Sequence, residues 1–221
     1  MTVTGRYRRL GQTDQAGFIV GLGGVTIMRM PFGEAVELTE KAIGAGVNHL
    51  DVAPTYGDAQ EKMGHVLASR RDEVFLSCKT TRRDADGARR ELEESLRLLQ
   101  TDRIDLYQFH ALDETGDLER IMKPDGALSA FLQAREEGLI RYLGVTGHRI
   151  ETHRETLTRI DLDTVMAPLN FRTYKTMCGE GGLISLARRR GMGVIAIKAT
   201  TRGEIEPAAD AYRFTLSQDV D

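Results

Sequence analysis

The sequence predicts an α/β fold: an incomplete TIM (β/α)8-type barrel, with about seven parallel strands and an N-terminal hairpin. Three observations predict it. Apolar strand-like runs alternate with amphipathic helical stretches roughly every 25–35 residues, the pattern of a parallel sheet covered by helices. The alternation runs through the 221 residues without a linker, a low-complexity stretch or a composition break, so one domain is expected over 1–221. A doubly wound sheet accommodates a few such units, whereas seven in even succession favour a cylinder.

Taken in order, Tyr7 to Leu10 with a turn near Gly11 reads as a hairpin, and Phe18-Ile-Val-Gly-Leu22 as the first strand. A helix is expected from about Gly33 to Ala45, with Leu38, Ala42 and Ala45 at helical spacing. The run Gly46-Val-Asn-His-Leu-Asp51 is the second strand, and Met63, Val66 and Leu67 mark the next helix. After the strand Val74-Phe-Leu-Ser-Cys-Lys79 comes the clearest helix, with Leu92, Leu96 and Leu99 on one stripe and Arg89, Arg90, Glu93 and Glu94 outside it. Ile104-Asp-Leu-Tyr-Gln-Phe-His110 is the next strand, and Leu128, Phe131 and Leu132 mark a helix stopped by Gly138. Tyr142 to Thr146 is a strand and Thr156 to Ile160 part of a helix. The strand Thr164 to Asn170 tolerates Pro168 near its end, where a lost donor matters less. Leu183, Leu186 and Ala187 form a helical stripe, Met192 to Lys198 a seventh strand, and Ala208 to Leu216 a seventh helix. An eighth strand is expected after Gln218, where Asp219-Val-Asp221 remain, so a chain shortened at its C-terminus and a sheet with an open edge are expected.

Composition narrows the function. With 41% hydrophobic residues the chain can bury a full core. Its 33 acidic and 30 basic residues are interspersed and sum to -3, which argues against a nucleic-acid partner. No stretch approaches the roughly 20 apolar residues of a membrane span. The segment Met1 to Arg9 has no apolar core after its charges, unlike a signal peptide, and a cytoplasmic location is expected. Two cysteines make no disulfide framework. Strand alternation turns Cys78 away from Lys79, into the strand–helix layer. Arg188-Arg189-Arg190 reads as a polar helix end beside Gly191, and His65 and His153 as surface helix residues without partners. No metal site is read, and oligomeric state is not specified.

The chemistry concentrates in Asp51, Tyr56, Lys79 and His110. Three of them close strand runs, and Tyr56 lies in the loop after the first of these runs. In repeating strand–helix units such loops open on one rim, where active sites form. A phenol with a pKa of about 10 is a poor acid at neutral pH. A neighbouring ammonium is expected to lower that value, and a carboxylate to keep the ammonium charged. A neutral imidazole at His110 can hold a carbonyl oxygen. Such a set protonates a carbonyl oxygen while a hydride from elsewhere attacks the carbon, which requires a cofactor. From spacing alone, a structural Lys–Asp pair with Tyr and His as ordinary rim residues stays equally open. Gly21-Leu-Gly23-Gly-Val-Thr26 imitates a dinucleotide fingerprint but has Thr26 for the third glycine and Met28-Arg-Met-Pro31 where a helix should begin at once. A tight rim turn is the better account.

At these residues the chain resembles the aldo-keto reductases, nicotinamide-dependent carbonyl reductases on a TIM barrel. The resemblance runs through Tyr7-Arg-Arg-Leu-Gly, Asp51-Val-Ala-Pro-Thr-Tyr56-Gly57, Leu76-Ser-Cys-Lys79, Ser95 to His110, Glu137 to Thr146 and Gly191 to Lys198. It implies a catalytic tetrad of Asp51, Tyr56, Lys79 and His110, NADPH as cofactor with NADH possible, and a small-molecule carbonyl substrate. Val145-Thr-Gly-His148 stands where many members carry Ser-Asn against the nicotinamide carboxamide, so Thr146 can replace the serine while Gly147 offers no amide. The same run resembles a branch of reductases, some with an iron–sulfur segment whose cysteines are absent here. The resemblance further suggests Asn170 and Lys198 as cofactor contacts and His148 as a substrate contact. In the family the eighth strand, with the loop and helix after it, grips the adenosine end, so weak cofactor affinity is expected. The alternative is a non-catalytic module that senses cofactor or docks on a partner.

Overall fold

The computed structural model describes residues 6–114 and 116–221, so the first five residues of the charged N-terminal segment lie outside the described residues. Strands β1 (Tyr7–Arg9) and β2 (Ala16–Phe18) form an antiparallel hairpin. Next along the chain are β3 (Leu22–Gly23), α1 (Gly24–Ile27), α2 (Phe32–Gly44), β4 (His49–Asp51), α3 (Ala59–Arg70), β5 (Phe75–Thr80), α4 (Ala85–Leu98) and β6 (Ile104–Phe109). The chain continues through α5 (Asp117–Ile121), α6 (Ala127–Glu136), β7 (Ile140–Thr146), α7 (Ile150–Arg159) and β8 (Thr164–Pro168). It ends with α8 (Tyr174–Cys178), α9 (Leu183–Arg189), β9 (Gly193–Ile197) and α10 (Ala208–Leu216).

The seven strands β3 to β9 pair in sequence order, each parallel to the next, as a curled half-barrel. All their C-terminal ends therefore share one rim. Most of the apolar core lies between sheet and helices, where Cys78, Leu92, Phe109, Phe131 and Val145 are buried. A smaller cluster of Leu10, Phe75 and Leu106 fills the inside of the curl, with Tyr142 and Ile195 packed on it.

The hairpin closes the opposite end, against the strand starts. Gly11, at φ 53, sits where any Cβ would collide with the Gly193 backbone. Asp14 receives the Tyr142 hydroxyl at 2.8 Å and the Arg141 guanidinium at 2.5 Å. Arg141 reaches back to Asp105, which is buried and also holds Arg71 at 2.7 Å. Arg8 donates to the Leu216 and Val220 carbonyls, and the Asp221 amide to Val194 of β9.

Some expected elements shift, for identifiable reasons. The first parallel strand begins at Leu22, because the Asn48 side chain binds the Phe18 amide and the Ala16 carbonyl that a neighbouring strand would have used. A one-turn helix, α1, does follow Gly23, and Pro31 separates it from α2. The α6 stripe is Ala127, Ala130, Phe131 and Ala134, while Leu132 is 40% exposed. His153 is fully buried rather than superficial, its Nδ1 3.0 Å from the Arg149 carbonyl one turn earlier. His65 is exposed, and Arg188 to Arg190 do end a helix beside Gly191.

Candidate active site

Parallel register brings the rim residues together. Asp51 pairs with Ser77, and Lys79 lies two residues farther along β5 on the same face. The Lys79 ammonium donates to both Asp51 oxygens at 2.6 and 2.5 Å and to the Val52 carbonyl at 3.1 Å. It is 1% exposed and Asp51 18%, so the pair is largely removed from solvent. Lys79 Nζ lies 5.3 Å from the Tyr56 ring centroid. The His110 ring meets Tyr56 edge-on, centroids 5.9 Å apart. All four line one cavity of about 540 Å³, together with Thr146, His148, Ile197, Lys198 and Arg202.

The protonation states follow from burial. Desolvation raises the Tyr56 pKa above its ordinary value, overcoming the pull of Lys79 and aided by Asp51. The expected lowering by the ammonium is thus present but outweighed by burial, with a smaller opposing contribution from the carboxylate that anchors Lys79. His110 is pushed down to about 4 by burial, then by Lys79, with Asp51 opposing. It is a neutral imidazole at pH 7, and its buried Nδ1 has no partner among the described residues.

Sequence reasoning missed Gln108, whose Nε2 reaches Asp51 at 3.4 Å. Its signal was available: Gln108 stands two residues before His110, on the same strand face. It also missed Asp113, for which a loop gives no periodic signal.

Of the remaining expected contacts, Thr146, His148 and Lys198 line the same cavity. Thr146 is 4% exposed at the end of β7. His148 lies between the Asp113 carboxylate, 2.8 Å from Nδ1, and the Lys198 ammonium, 2.5 Å from Nε2. Asn170 does not line the cavity; its side chain donates to the Lys198 carbonyl and Thr201 and accepts from the Arg172 amide. Cys78 faces the helix layer beside Gln60, and burial raises its thiol to about 11.

A parallel half-barrel with this rim is matched by the profile of the Aldo/keto reductase family over residues 19–213. The chain belongs to the aldo/keto reductase family. The oxidoreductase YqkF of Bacillus subtilis is 30% identical over 175 residues, 73% of this chain and 55% of that protein. The L-galactose dehydrogenase of Arabidopsis thaliana is 26% identical over 215 residues, 89% of this chain and 66% of that protein. The aldo-keto reductase AKR11C1 of Bacillus halodurans, in its holo form, superposes with a TM-score of 0.76 at 26% identity, covering 90% of this chain and 67% of that one. PA4992 of Pseudomonas aeruginosa gives 0.81 at 27%, covering 96% and 85%. The chain spans about half to two thirds of the length of the curated relatives it matches. Among the described residues of this aldo/keto reductase, no helix is long and apolar enough to cross a membrane.

Proposed function

We propose that this aldo/keto reductase reduces an aldehyde or ketone to an alcohol with NADPH, NADH being the alternative donor. The observation that carries the reading is the convergence of Asp51, Lys79, Tyr56 and His110 on one cavity. The residues present fit a nicotinamide cofactor: Thr146 and Ile197 line the cavity beside the four rim residues, and the cations Lys198 and Arg202 line it too, suited to phosphates. When bound, the nicotinamide would supply the hydride.

The chain's own groups handle the oxygen and its proton. A raised Tyr56 pKa keeps the phenol protonated at neutral pH, so the acid is always loaded. The forming alkoxide is far more basic than a phenolate, so the transfer remains downhill. Lys79, anchored by Asp51, then faces the phenolate left on Tyr56 and stabilises it. His110, neutral and edge-on to Tyr56, donates to the substrate oxygen without bringing a second positive charge beside Lys79.

The test is NADPH oxidation, followed by its ultraviolet absorbance, over a panel of aldehydes. Tyr56→Phe keeps the ring and is expected to cost about 10³-fold in kcat, within the range for a lost general acid. Turnover that survives the substitution would overturn the acid role. Cofactor binding without turnover of any carbonyl would favour the sensing module.

A further inference from the structure

Three loops meet over the mouth of the cavity through three side chains that the tetrad does not use. Asp113 follows β6, His148 follows β7 and Lys198 follows β9. Asp113 Oδ1 accepts the His148 and Arg149 amides at 2.6 and 2.9 Å, and its Oδ2 lies 2.8 Å from His148 Nδ1. A carboxylate only accepts, so Nδ1 carries a proton, and an ammonium only donates, so the Nε2 opposite it presents a lone pair. That lone pair faces Lys198 Nζ at 2.5 Å. The ammonium spends one N–H on a neutral acceptor and keeps two for a ligand.

Lys198 differs from Lys79 in the quantity that matters for binding an anion. Asp51 cancels the charge of Lys79, whereas no carboxylate lies within 4.0 Å of Lys198 or Arg202 among the described residues. Lys198 also adopts φ 59, a backbone state that side chains rarely enter unless neighbours enforce it. The neighbours are Asn170, donating to the Lys198 carbonyl at 3.1 Å, and the Thr201 amide at 3.0 Å. Gly147 completes the arrangement. A Cβ there would stand 2.6 Å from Asp113 Oδ1 and 2.8 Å from His153 Cε1, so glycine at this position is a condition of the Asp113 contact.

We infer that Asp113 and His148 are positioning residues that fix the Lys198 ammonium, beside Arg202, as a receptor for an anionic group at the mouth of the catalytic cavity. The inference rests on Lys198 being a ligand contact, as proposed above. The shared chemistry is a phosphate or carboxylate, carried by the cofactor or by the carbonyl substrate.

The test is a double-mutant cycle on the full chain, with three probes: NADPH, inorganic pyrophosphate, and succinic semialdehyde compared with uncharged butyraldehyde. Lys198→Met is expected to weaken its ligand about 10-fold, as for a lost charge-assisted bond. Loss confined to NADPH and pyrophosphate assigns the anion to the cofactor. Loss in KM for succinic semialdehyde alone assigns it to the substrate. His148→Ala and Asp113→Ala are each expected to weaken binding about 5-fold in wild type and less than about 2-fold in the Lys198→Met background, because contacting residues couple. His148→Gln, which keeps an acceptor, recovers part of the loss. Independently of any ligand, imidazole ¹⁵N spectra are expected to report His148 with its proton on Nδ1, and Lys198→Met to move the Nε2 resonance. An Nε2–H tautomer, or a His148→Ala effect of equal size in both backgrounds, overturns the positioning role while leaving Lys198 as a contact. No effect of Lys198→Met on any probe, or no binding of any probe by wild type, overturns the contact and the inference together.

Discussion

Replacing Lys79 by methionine separates what the buried pair contributes to stability from what it contributes to chemistry. At 2.6 Å, with an effective dielectric of about 20, two unit charges attract by about 6 kcal/mol, most of which offsets the cost of desolvating them. Methionine keeps the length of the side chain, so the space around Val52 stays filled. The substitution leaves a largely buried Asp51 carboxylate with its main partner removed, and Gln108 at 3.4 Å is a weak substitute. Breaking such a pair costs about 3–5 kcal/mol, against a total stability of about 5–15 kcal/mol. Urea unfolding at pH 7, followed by far-ultraviolet circular dichroism, reads this directly, and the thermal midpoint should fall on the order of 10 °C. The double variant Asp51→Leu with Lys79→Met removes both charges and should recover most of the stability while remaining inactive. If Lys79→Met unfolds within about 0.5 kcal/mol of wild type, the value of a screened surface pair, the buried-pair reasoning fails.

Other outcomes rest on single residues. Because the His110 pKa is lowered to about 4, kcat/KM should hold through about pH 5–6 and fall only as pH drops toward 4; a limb near pH 6.5 would show a charged imidazole instead. The same group stabilises the fold above its unfolded value of about 6.5, and that contribution is lost as pH falls through its folded value. On the alkaline side the raised Tyr56 pKa should carry the plateau beyond about pH 10. Gly64→Ala would press a methyl group into the Leu98 carbonyl where α3 crosses the end of α4, and should cost about 1–3 kcal/mol in urea unfolding. Cys78, fully buried and raised to about 11, should resist a disulfide reagent that labels the partly exposed Cys178 in the native protein.

The strand–helix succession was readable because burial imposes a period. Ala88, Leu92 and Ser95 on α4 carry it at helical spacing, while β5 and β6, buried at every position, read as short runs between the helices instead. It failed where polar side chains or small residues decided the outcome. Asn48 moved the start of β3 by mimicking a strand neighbour. On α6, alanines rather than Leu132 face the core, since small residues let a helix pack closely. His153 was misplaced because a polar side chain on a short helix gives the same pattern whether it faces solvent or spends its Nδ1 on a carbonyl one turn back.

The four rim residues were legible for a different reason: in parallel strands, the end of each apolar run marks one physical edge, so three polar residues closing such runs must share it. Their effect on one another was not legible, because it depends on distances that sequence does not contain. The expected effect of Lys79 on Tyr56 has the right sign, yet burial outweighs it and Asp51 works against it. A carboxylate close enough to hold an ammonium inside the sheet is close enough to resist a phenolate. In the proposed reaction the pair would therefore act after the proton has left Tyr56 rather than by acidifying the resting phenol. Asp113 was invisible on the same grounds. Its three contacts to His148 and Arg149 arise where two loops from neighbouring strands meet, and loops carry no period from which such a meeting can be read.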